Sequence, residues 1–442
     1  MKMPTKSRSN QTQMEKSQKQ IMDDKKRRST VGDYFRLQRG TTYKSRLLGQ
    51  PGPVLLGLAS IRRNGGFRTD SLRTYGGESP NKLLVQPGEI YVSLKDVTQS
   101  ADLLGAVARL PYGHLAGRLT QDTVKLVQKS DDVPLDYLYW LLRTPQYRAY
   151  CRTYATGTTN LGLSREDFLA FPAPEPKAKQ LLLVDTLEAL KEKIELNLKM
   201  NKTLEAVGEV VFRQWFVDFE FPNHEGKPYK SSGGKMVYND YFDKTIPVDW
   251  KLKKIGEILT TVLGGTPDRR NPEYWDGDIP WINSGKINEF RIIEPSEYIT
   301  EKGLENSATT LLPRRTTVIA ITGATLGQVS LLEIDSCANQ SVVGVLESQE
   351  IPSEYIYFWI KQTIQQIIAW QTGGAQQHIN KNNVNDSLLL IPDQKMLSAY
   401  LNFVQPLFNR ITINCFENLS LRKIRRLLLP KLVSGKIKVE AS

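Results

Sequence analysis

The chain has 442 residues, of which 40% are hydrophobic and 24% charged, and its formal net charge at pH 7 is +12. These are globular values, and the length favours two or three domains over a single one. No apolar run reaches the roughly 18 residues of a membrane span, and the N-terminus lacks the apolar segment of a secretory signal. Three cysteines and three scattered histidines favour neither a disulfide framework nor a zinc site. We therefore expect a cytoplasmic protein.

The N-terminal segment, residues 1–30, is strongly basic. It holds nine lysines and arginines against three acids, so it carries +6, half of the net charge of the chain. Such a segment is typical of a solvated arm. The overall charge thus permits nucleic-acid binding but does not establish it.

The main signal in the sequence is an internal repeat. Val31-Gly-Asp-Tyr-Phe is matched by Ile255-Gly-Glu-Ile-Leu, 224 residues later. A Gly-Thr turn, a turn that leads into an apolar strand, and a helix opened by proline then follow in the same order in both halves. These features begin at Gly40, Gln86 and Val133 in the first half, and at Gly264, Pro313 and Ile351 in the second. The order predicts two copies of one globular domain.

Each half ends in a long helical pattern, over residues 177–217 and 394–435. Apolar residues in both patterns are spaced alternately three and four apart, which is the coiled-coil period. Asparagine interrupts the two apolar seams at positions that match at an offset of 217, namely Asn197, Asn201, Asn414 and Asn418. A buried asparagine would fix the register between helices at a cost in stability. The alternative is that these residues lie on the solvated edge of the stripe.

Neither helix is apolar all round, so each needs a partner face, and each is the natural partner of the other. We predict an α+β protein in which two globular α/β domains are separated by two long antiparallel coiled-coil helices with pseudo-twofold symmetry. The predicted segments, in chain order, are a basic arm 1–30, a first domain 31–176, a central helix 177–217, a connector 218–249, a second domain 250–393, a C-terminal helix 394–435 and a tail 436–442.

Catalytic motifs are weak throughout the sequence. Asn271-Pro-Glu-Tyr is similar to the Asn-Pro-Pro-Tyr loop of adenine methyltransferases, but it follows a turn instead of an apolar strand. No Gly-x-Gly loop lies upstream to hold S-adenosylmethionine, and no phosphate-binding loop is present. Asp393-Gln-Lys lacks a metal-binding acid upstream. We predict a binding protein with no catalytic residue and no metal site.

The second half carries a clear family resemblance. Its motifs are Gly264-Gly-Thr-Pro-Asp, Trp281-Ile-Asn-Ser-Gly, Thr322-Gly-Ala-Thr-Leu-Gly, Cys337-Ala-Asn-Gln-Ser and Gly373-Gly-Ala-Gln-Gln-His-Ile-Asn. Together they resemble a target recognition domain of the specificity subunit of type I restriction–modification enzymes. The first half matches at Leu163-Ser-Arg-Glu-Asp-Phe and Val211-Phe-Arg-Gln-Trp-Phe, but it lacks the Gly-Gly-Thr-Pro and Trp-Ile-x-Ser-Gly stretches. The resemblance covers about Gly32 to Val439.

This resemblance implies a DNA-recognition subunit that performs no chemistry. Each domain would read one half of a split, asymmetric site in double-stranded DNA. The paired helices would set the gap between the halves and dock two methyltransferase subunits, and translocating restriction subunits would join that core. S-adenosylmethionine, ATP and Mg²⁺ would be bound by those partners, with no cofactor on this chain.

Two other functions remain open. The chain could be the specificity subunit of another bipartite methylation system, or a coiled-coil scaffold whose domains bind proteins. A modifying enzyme with a fused recognition domain would need a cofactor-binding domain, for which this chain has no room.

Base reading needs donors and acceptors on exposed loops, and phosphate contacts need cations or amides. In the second domain the predicted DNA-binding residues are Thr266, Arg269, Asn283, Ser284, Lys286, Thr325, Gln376, Gln377, His378 and Asn380. In the first domain, where the loops are inferred largely by symmetry, they are Thr41, Tyr43, Lys44, Arg46, Lys95, Thr158, Thr159 and Asn160. The structural alternative is that these loops are turns and strand caps.

Overall fold

A computed structural model describes residues 29–158, 160–369 and 378–434. The chain divides into two compact units, one formed by Met1–Glu192 with Leu421–Ser442 and the other by Lys193–Ser420. Most of the predicted basic arm, the predicted tail, and the candidate residues Thr159, Gln376 and Gln377 lie outside the described residues. Among the helices that the structure describes, none is long and apolar enough to cross a membrane.

The first unit begins with short strands and short helices. Its strands are β1 (Phe35–Arg39), β2 (Val54–Leu56), β3 (Leu84–Val85), β4 (Ile90–Ser93), β5 (Lys95–Asp96), β6 (Val107–Arg109), β7 (Gly117–Leu119), β8 (Thr123–Gln128) and β9 (Leu161–Gly162). Its short helices are α1 (Val31–Tyr34), α2 (Leu135–Leu141), α3 (Pro145–Thr153) and α4 (Arg165–Ala170). The long helix α5 (Ala178–Phe216) begins in this unit and ends in the second.

The main sheet of the first unit is antiparallel, with the strand order β1-β8-β4-β6. Central strand β4 is buried along its whole length, as expected of a strand covered on both faces. Helix α2 begins after Pro134, whose fixed φ suits a helix start. Its Tyr137 and Trp140 pack in one core with Ile90 and Val92 of β4. The predicted turn-to-strand and proline-opened helix therefore form the core of this unit.

The second unit contains more strands and a longer buried helix. Its strands are β10 (Met236–Asn239), β11 (Lys244–Pro247), β12 (Lys251–Lys254), β13 (Thr261–Leu263), β14 (Trp275–Ile282), β15 (Glu297–Ile299), β16 (Thr317–Ala320), β17 (Val329–Leu331), β18 (Cys337–Ala338), β19 (Val342–Val345) and β20 (Leu388–Ile391). Its helices are α6 (Ile255–Ile258), α7 (Glu301–Glu305), α8 (Ser353–Ala369), α9 (Lys381–Asp386) and the long α10 (Gln394–Leu428), which ends in the first unit.

The main sheet of the second unit is also antiparallel, with the order β13-β19-β16-β17. Helix α8 buries Tyr355, Phe358 and Trp359 in the same core as strands β16 and β19. The sheet thus repeats the strand order of the first unit. In both sheets, the strand that comes first in the chain pairs with the strand that comes last, and that last strand also pairs with the strand that comes second. A parallel strand pair accompanies each sheet, β2 with β7 and β14 with β18.

The two long helices match the predicted helical patterns closely at their starts. Helix α10 ends at Leu428, however, and a separate short helix α11 (Lys431–Ser434) follows. Pro430 lies between them, and proline disfavours helical conformation in the residue before it. The predicted continuous helix to residue 435 is therefore broken near its end. The predicted connector, residues 218–249, contains the β10–β11 hairpin.

Candidate nucleic-acid interface

Polar loops of the second unit gather at one end of its main sheet. Because neighbouring strands are antiparallel, β13 and β16 end at the edge where β17 and β19 begin. We name this edge the second rim and define it as residues 264–266, 283–286, 321–325, 339–341 and 378–380. It contains most of the loops that carry the family resemblance.

Backbone hydrogen bonds hold these loops together. The Gly264 N–H donates to the carbonyl of Val342 at 3.0 Å, and the Asn339 N–H donates to the carbonyl of Ile282 at 2.9 Å. The third connection runs from the Ile379 N–H to the carbonyl of Ile321, at 3.1 Å. Segments that are more than 100 residues apart in sequence therefore meet at one edge.

The corresponding edge of the first unit is built in the same way. We name it the first rim and define it as residues 40–46, 57–60, 94–97, 120–122, 156–158 and 160–162. The Gly40 N–H donates to the carbonyl of Thr123 at 3.2 Å, and the Thr120 N–H donates to that of Leu56 at 3.2 Å. Pairing of β5 with β9 brings Lys95 beside Gly162. The rim thus gathers Lys95 and the loop that carries Asn160.

One glycine in each rim permits a close approach of two backbone segments. A Cβ atom at Gly40 would lie 2.0 Å from the carbonyl oxygen of Thr120, and one at Gly264 would lie 2.2 Å from that of Asn339. Real Cβ atoms do not tolerate such distances. The Gly-Thr turns found in the sequence therefore mark the same structural position in both units.

Several predicted residues of the second rim are engaged within the protein. Asn283 and Asn380 cap helical segments, since their side chains accept the N–H groups of Gly285 and Asn383. Arg269, which lies just outside the rim, is 3.7 Å above the ring of Trp275 and forms an ion pair with Glu297. These residues have a structural role at the rim, whatever they contact outside it.

The remaining candidates of the second rim differ in their contacts and exposure. Lys286 forms an ion pair with Glu289 at 2.8 Å, and the Thr266 hydroxyl donates to the side-chain carbonyl of Gln340. Ser284 and Thr325 are half-buried, and His378 is exposed.

The first rim is more open. The predicted residues Thr41, Tyr43, Lys44, Arg46, Lys95, Thr158 and Asn160 are all exposed. Two grooves open here, of about 530 and 280 Å³. Tyr43 lines the larger groove, and Lys95 and Asn160 line the smaller one.

Sequence reasoning missed two polar residues at the rims. Asp122 lines both grooves of the first rim and lies 3.4 Å from the ammonium group of Lys95. Gln340 is exposed at the second rim and accepts the hydrogen bond from Thr266. Gln340 belongs to the Cys337-Ala-Asn-Gln-Ser motif, so its position in that motif was an available signal.

The four asparagines of the helical seams are buried, with at most 3% of each residue exposed. Within the second unit, the Asn197 amide donates to Asn418 at 3.0 Å, and the Asn414 amide donates to Asn201 at 2.8 Å. The Asn197 amide also donates to Glu417 at 2.8 Å. A position on the solvated edge of the stripe is therefore wrong for all four.

Buried charges attach a loop of the second unit to helix α5. Arg291 donates to Glu205 of α5 at 2.8 Å and to Tyr357 at 3.1 Å, and its side chain is fully buried. Burial opposes charge on Glu205, but Arg291 and Lys361 outweigh it, so the pKa of Glu205 is lower than usual. This network keeps Glu205 ionised at neutral pH.

A similar but less buried contact occurs in the first unit. Arg109 donates to Glu188 of α5 at 3.0 Å, and the indole N–H of Trp140 donates to the same carboxylate at 2.8 Å. Burial again opposes the charge, and Arg109 with Lys191 lowers the pKa of Glu188 below its usual range. Within the described ranges, no cluster of histidine, cysteine or acidic side chains could hold a metal ion.

Comparisons with known proteins agree with this architecture. Residues 247–414 match the family model of the type I restriction modification DNA specificity domain. The MjaIX specificity subunit of Methanocaldococcus jannaschii is 27% identical over 345 residues, which cover 75% of this chain and 77% of that protein. The HindI specificity subunit of Haemophilus influenzae is 23% identical over 356 residues, covering 68% of this chain and 77% of that protein.

A solved structure shows the same fold. The crystal structure of a type I restriction–modification S subunit from M. genitalium aligns with a TM-score of 0.57 and 16% identity, over 91% of this chain and 94% of that chain. The second unit therefore carries a DNA specificity domain. Over most of its length the chain is similar to type I restriction enzyme specificity subunits.

Proposed function

We propose that this chain is the DNA sequence-specificity subunit of a type I restriction–modification complex and has no catalytic activity of its own. Each unit contributes one target recognition domain, and the two domains read the two halves of a bipartite, asymmetric site in double-stranded DNA. The observation that carries the proposal is the repeated rim, in which polar loops gather at the same end of two sheets with one strand order.

The long helices α5 and α10 have a part in this proposal. They form the antiparallel, pseudo-twofold coiled coil between the two domains and set the length of the spacer between the half-sites. The buried asparagine pairs support a fixed register, because a shifted register would leave their amides without partners in an apolar seam.

Partners complete the activity. We propose that two methyltransferase subunits dock on the helices and that restriction and translocation subunits join this core in the cytoplasm. S-adenosylmethionine, ATP and Mg²⁺ belong to these partners. The relatives named above are themselves called specificity subunits, which supports this assignment.

A domain exchange tests the function. Residues 31–176 are replaced by the corresponding domain of a specificity subunit with a different known target, and methylated adenines are mapped in cells that also contain the methyltransferase subunits. We expect only one half of the methylated site to change. Exchange of residues 250–393 is the matched control and should change only the other half. A map in which both halves change together, or neither changes, contradicts the proposal.

The register is tested with Asn414→Leu alone and with Asn201→Leu and Asn414→Leu together. The single variant leaves the side-chain carbonyl of Asn201 without its donor and should lose about 1–3 kcal/mol of unfolding free energy, whereas the double variant should recover most of it. Stability is measured by denaturant unfolding. We also expect the double variant, assembled with methyltransferase subunits, to methylate sites of more than one spacer length. A single spacer length in that map contradicts the register role.

A further inference from the structure

A tight turn with the same internal hydrogen bonds occurs in both rims. In the first it spans residues 120–123, and the Thr123 N–H donates to the carbonyl of Thr120 at 3.2 Å. In the second it spans residues 339–342, and the Val342 N–H donates to that of Asn339 at 3.1 Å. Both turns connect a strand of the parallel pair with a strand of the main sheet, β7 with β8 and β18 with β19.

The side chain at the first position of each turn also acts alike. The Thr120 hydroxyl accepts the N–H of Asp122 at 3.4 Å, and the Asn339 side-chain carbonyl accepts the N–H of Ser341 at 3.2 Å. The two glycines of the rims approach the carbonyl oxygens of these same first residues. The two turns are therefore structurally equivalent, residue by residue.

The second position of both turns is glutamine, Gln121 in the first rim and Gln340 in the second, and both side chains are exposed. Turn geometry explains threonine or asparagine at the first position but places no demand for glutamine at the second. Gln121 has no hydrogen bond to the part of the chain that the structure describes. Gln340 accepts one from Thr266, which engages its carbonyl oxygen and leaves the amide N–H groups as donors.

The repeated glutamine indicates what it contacts. If the two domains read different half-sites, a residue that both share at an equivalent position suits the part of DNA that both half-sites share, which is the sugar–phosphate backbone. Phosphate oxygens accept hydrogen bonds, and the free amide of Gln340 donates them. At the first rim, Lys95 neutralises Asp122 beside Gln121, so an anion can approach this turn.

We propose that Gln121 and Gln340 are equivalent backbone-contact residues, each donating its side-chain amide to a DNA phosphate of its own half-site. They position the DNA on the rim and carry no sequence information. This inference rests on the proposed function, in which each rim faces one half-site.

The test uses the complex of the full chain with its methyltransferase subunits. Gln340→Ala and Gln121→Ala should each weaken binding about three- to tenfold, by a similar factor for a duplex with the full site and for a duplex of unrelated sequence. Gln340→Glu should weaken binding more than Gln340→Ala, most strongly at low salt, because a carboxylate repels the phosphate. Gln362→Ala, at an exposed position on α8, is the matched control and should bind like the original chain.

Methylation maps separate a backbone contact from base reading. An unchanged methylated sequence with lower affinity supports the proposal. A relaxed or altered base at one position of a half-site overturns it in favour of base reading, and binding equal to that of Gln362→Ala also overturns it. Unfolding curves that match the original chain exclude misfolding as the cause of a loss, and a destabilised alanine variant is replaced by Gln340→Asn, for which the same weakening is expected.

Failure of the proposed function gives a different result. If the complex with the original chain binds and methylates DNA without sequence preference, the proposed function fails, and this inference fails with it. If the original complex is sequence-specific and both glutamine variants equal the control, only the backbone contact is wrong.

Discussion

The two rims have one backbone framework but differ in how their side chains are held. In the first rim, Tyr43 lines a groove and packs on Tyr75, and Lys44 and Arg46 are exposed. Beside the second rim, Arg269 is stacked on Trp275, and within the rim Thr266 and Lys286 form side-chain contacts with Gln340 and Glu289. Side chains held before binding lose less entropy when DNA docks, whereas free side chains can adapt. We infer that the second rim is the more preorganised of the two.

The charged contacts with helix α5 also differ between the two units, because those of the second unit are more deeply buried. Arg291 of the second unit is fully buried, and so is the side chain of Glu333, 3.9 Å away. Arg109 of the first unit contacts Asp136, whose side chain is 52% exposed. Water can therefore compensate for a broken contact more easily in the first unit than in the second.

The largest expected difference comes from removing these arginines. Arg291→Met removes the buried cation beside Glu205 and leaves that carboxylate with Lys361 as its nearby cation, and we expect a loss of about 3–5 kcal/mol in the free energy of unfolding. Arg109→Met should lose less, about 1–3 kcal/mol, because water reaches its partners. Denaturant unfolding followed by circular dichroism measures both. Equal losses of unfolding free energy would contradict the inferred difference between the two units.

Acid should remove part of this stabilisation. The pKa of Glu205 and that of Glu188 are lowered in the folded protein by their cationic neighbours, against the effect of burial. A lowered folded pKa stabilises the protein above the unfolded value, about 4.3 for glutamate, and the contribution disappears as the pH falls through the folded pKa. Unfolding free energies measured between pH 7 and pH 3 should therefore decline below about pH 4.3.

The acid dependence has a direct control. Glu205→Gln and Glu188→Gln should each flatten this decline, because a neutral amide does not titrate in this range. A decline of the same steepness in both variants would show that other carboxyl groups cause it.

A smaller difference is expected between two asparagines of the rims. Asn380 caps helix α9, so Asn380→Ala should lose about 1 kcal/mol of unfolding free energy. Asn160 is exposed in a loop, so Asn160→Ala should change stability by less than about 0.5 kcal/mol. Thermal unfolding compares the two variants. A larger loss for Asn160→Ala would contradict the open character of the first rim.

The smallest difference concerns two cations. Arg269→Ala removes the stack on Trp275 and should lose about 0.5–1 kcal/mol of stability. Lys44→Ala should leave stability unchanged but lower the salt dependence of DNA binding by about one unit of slope, if Lys44 contacts a phosphate. DNA-binding titrations at several salt concentrations measure that slope. An unchanged slope would show that Lys44 does not contact a DNA phosphate.

Local patterns made the long helices and the main strands predictable. The alternation of three and four in the seams, and the turn before β4 and β16, need only neighbouring residues. The buried network had no such signal, because Glu205, Arg291 and Tyr357 lie in segments far apart in sequence. The roles of Asn283 and Asn380 could not be predicted from the sequence for a different reason. An asparagine before a helical turn suits a helix cap as well as a DNA contact.

The equivalence of Gln121 and Gln340 also needed the structure. The offset between the halves is 224 residues at Gly40 and Gly264 but 219 at the glutamines, because the intervening loops differ in length. Strand pairing and turn hydrogen bonds align the positions where sequence spacing does not.

The asparagine seam has a consequence for the ancestry of the chain. In the repeat, Asn197 corresponds to Asn414 and Asn201 corresponds to Asn418. The hydrogen bonds cross this correspondence, because Asn197 pairs with Asn418 and Asn201 pairs with Asn414. This exchange is the rule of an isologous interface between identical subunits. One half of the chain thus already contains a seam complementary to a copy of itself. We infer that this seam has the pairing expected after fusion of two identical subunits, an arrangement in which the two halves of one chain can diverge in sequence independently.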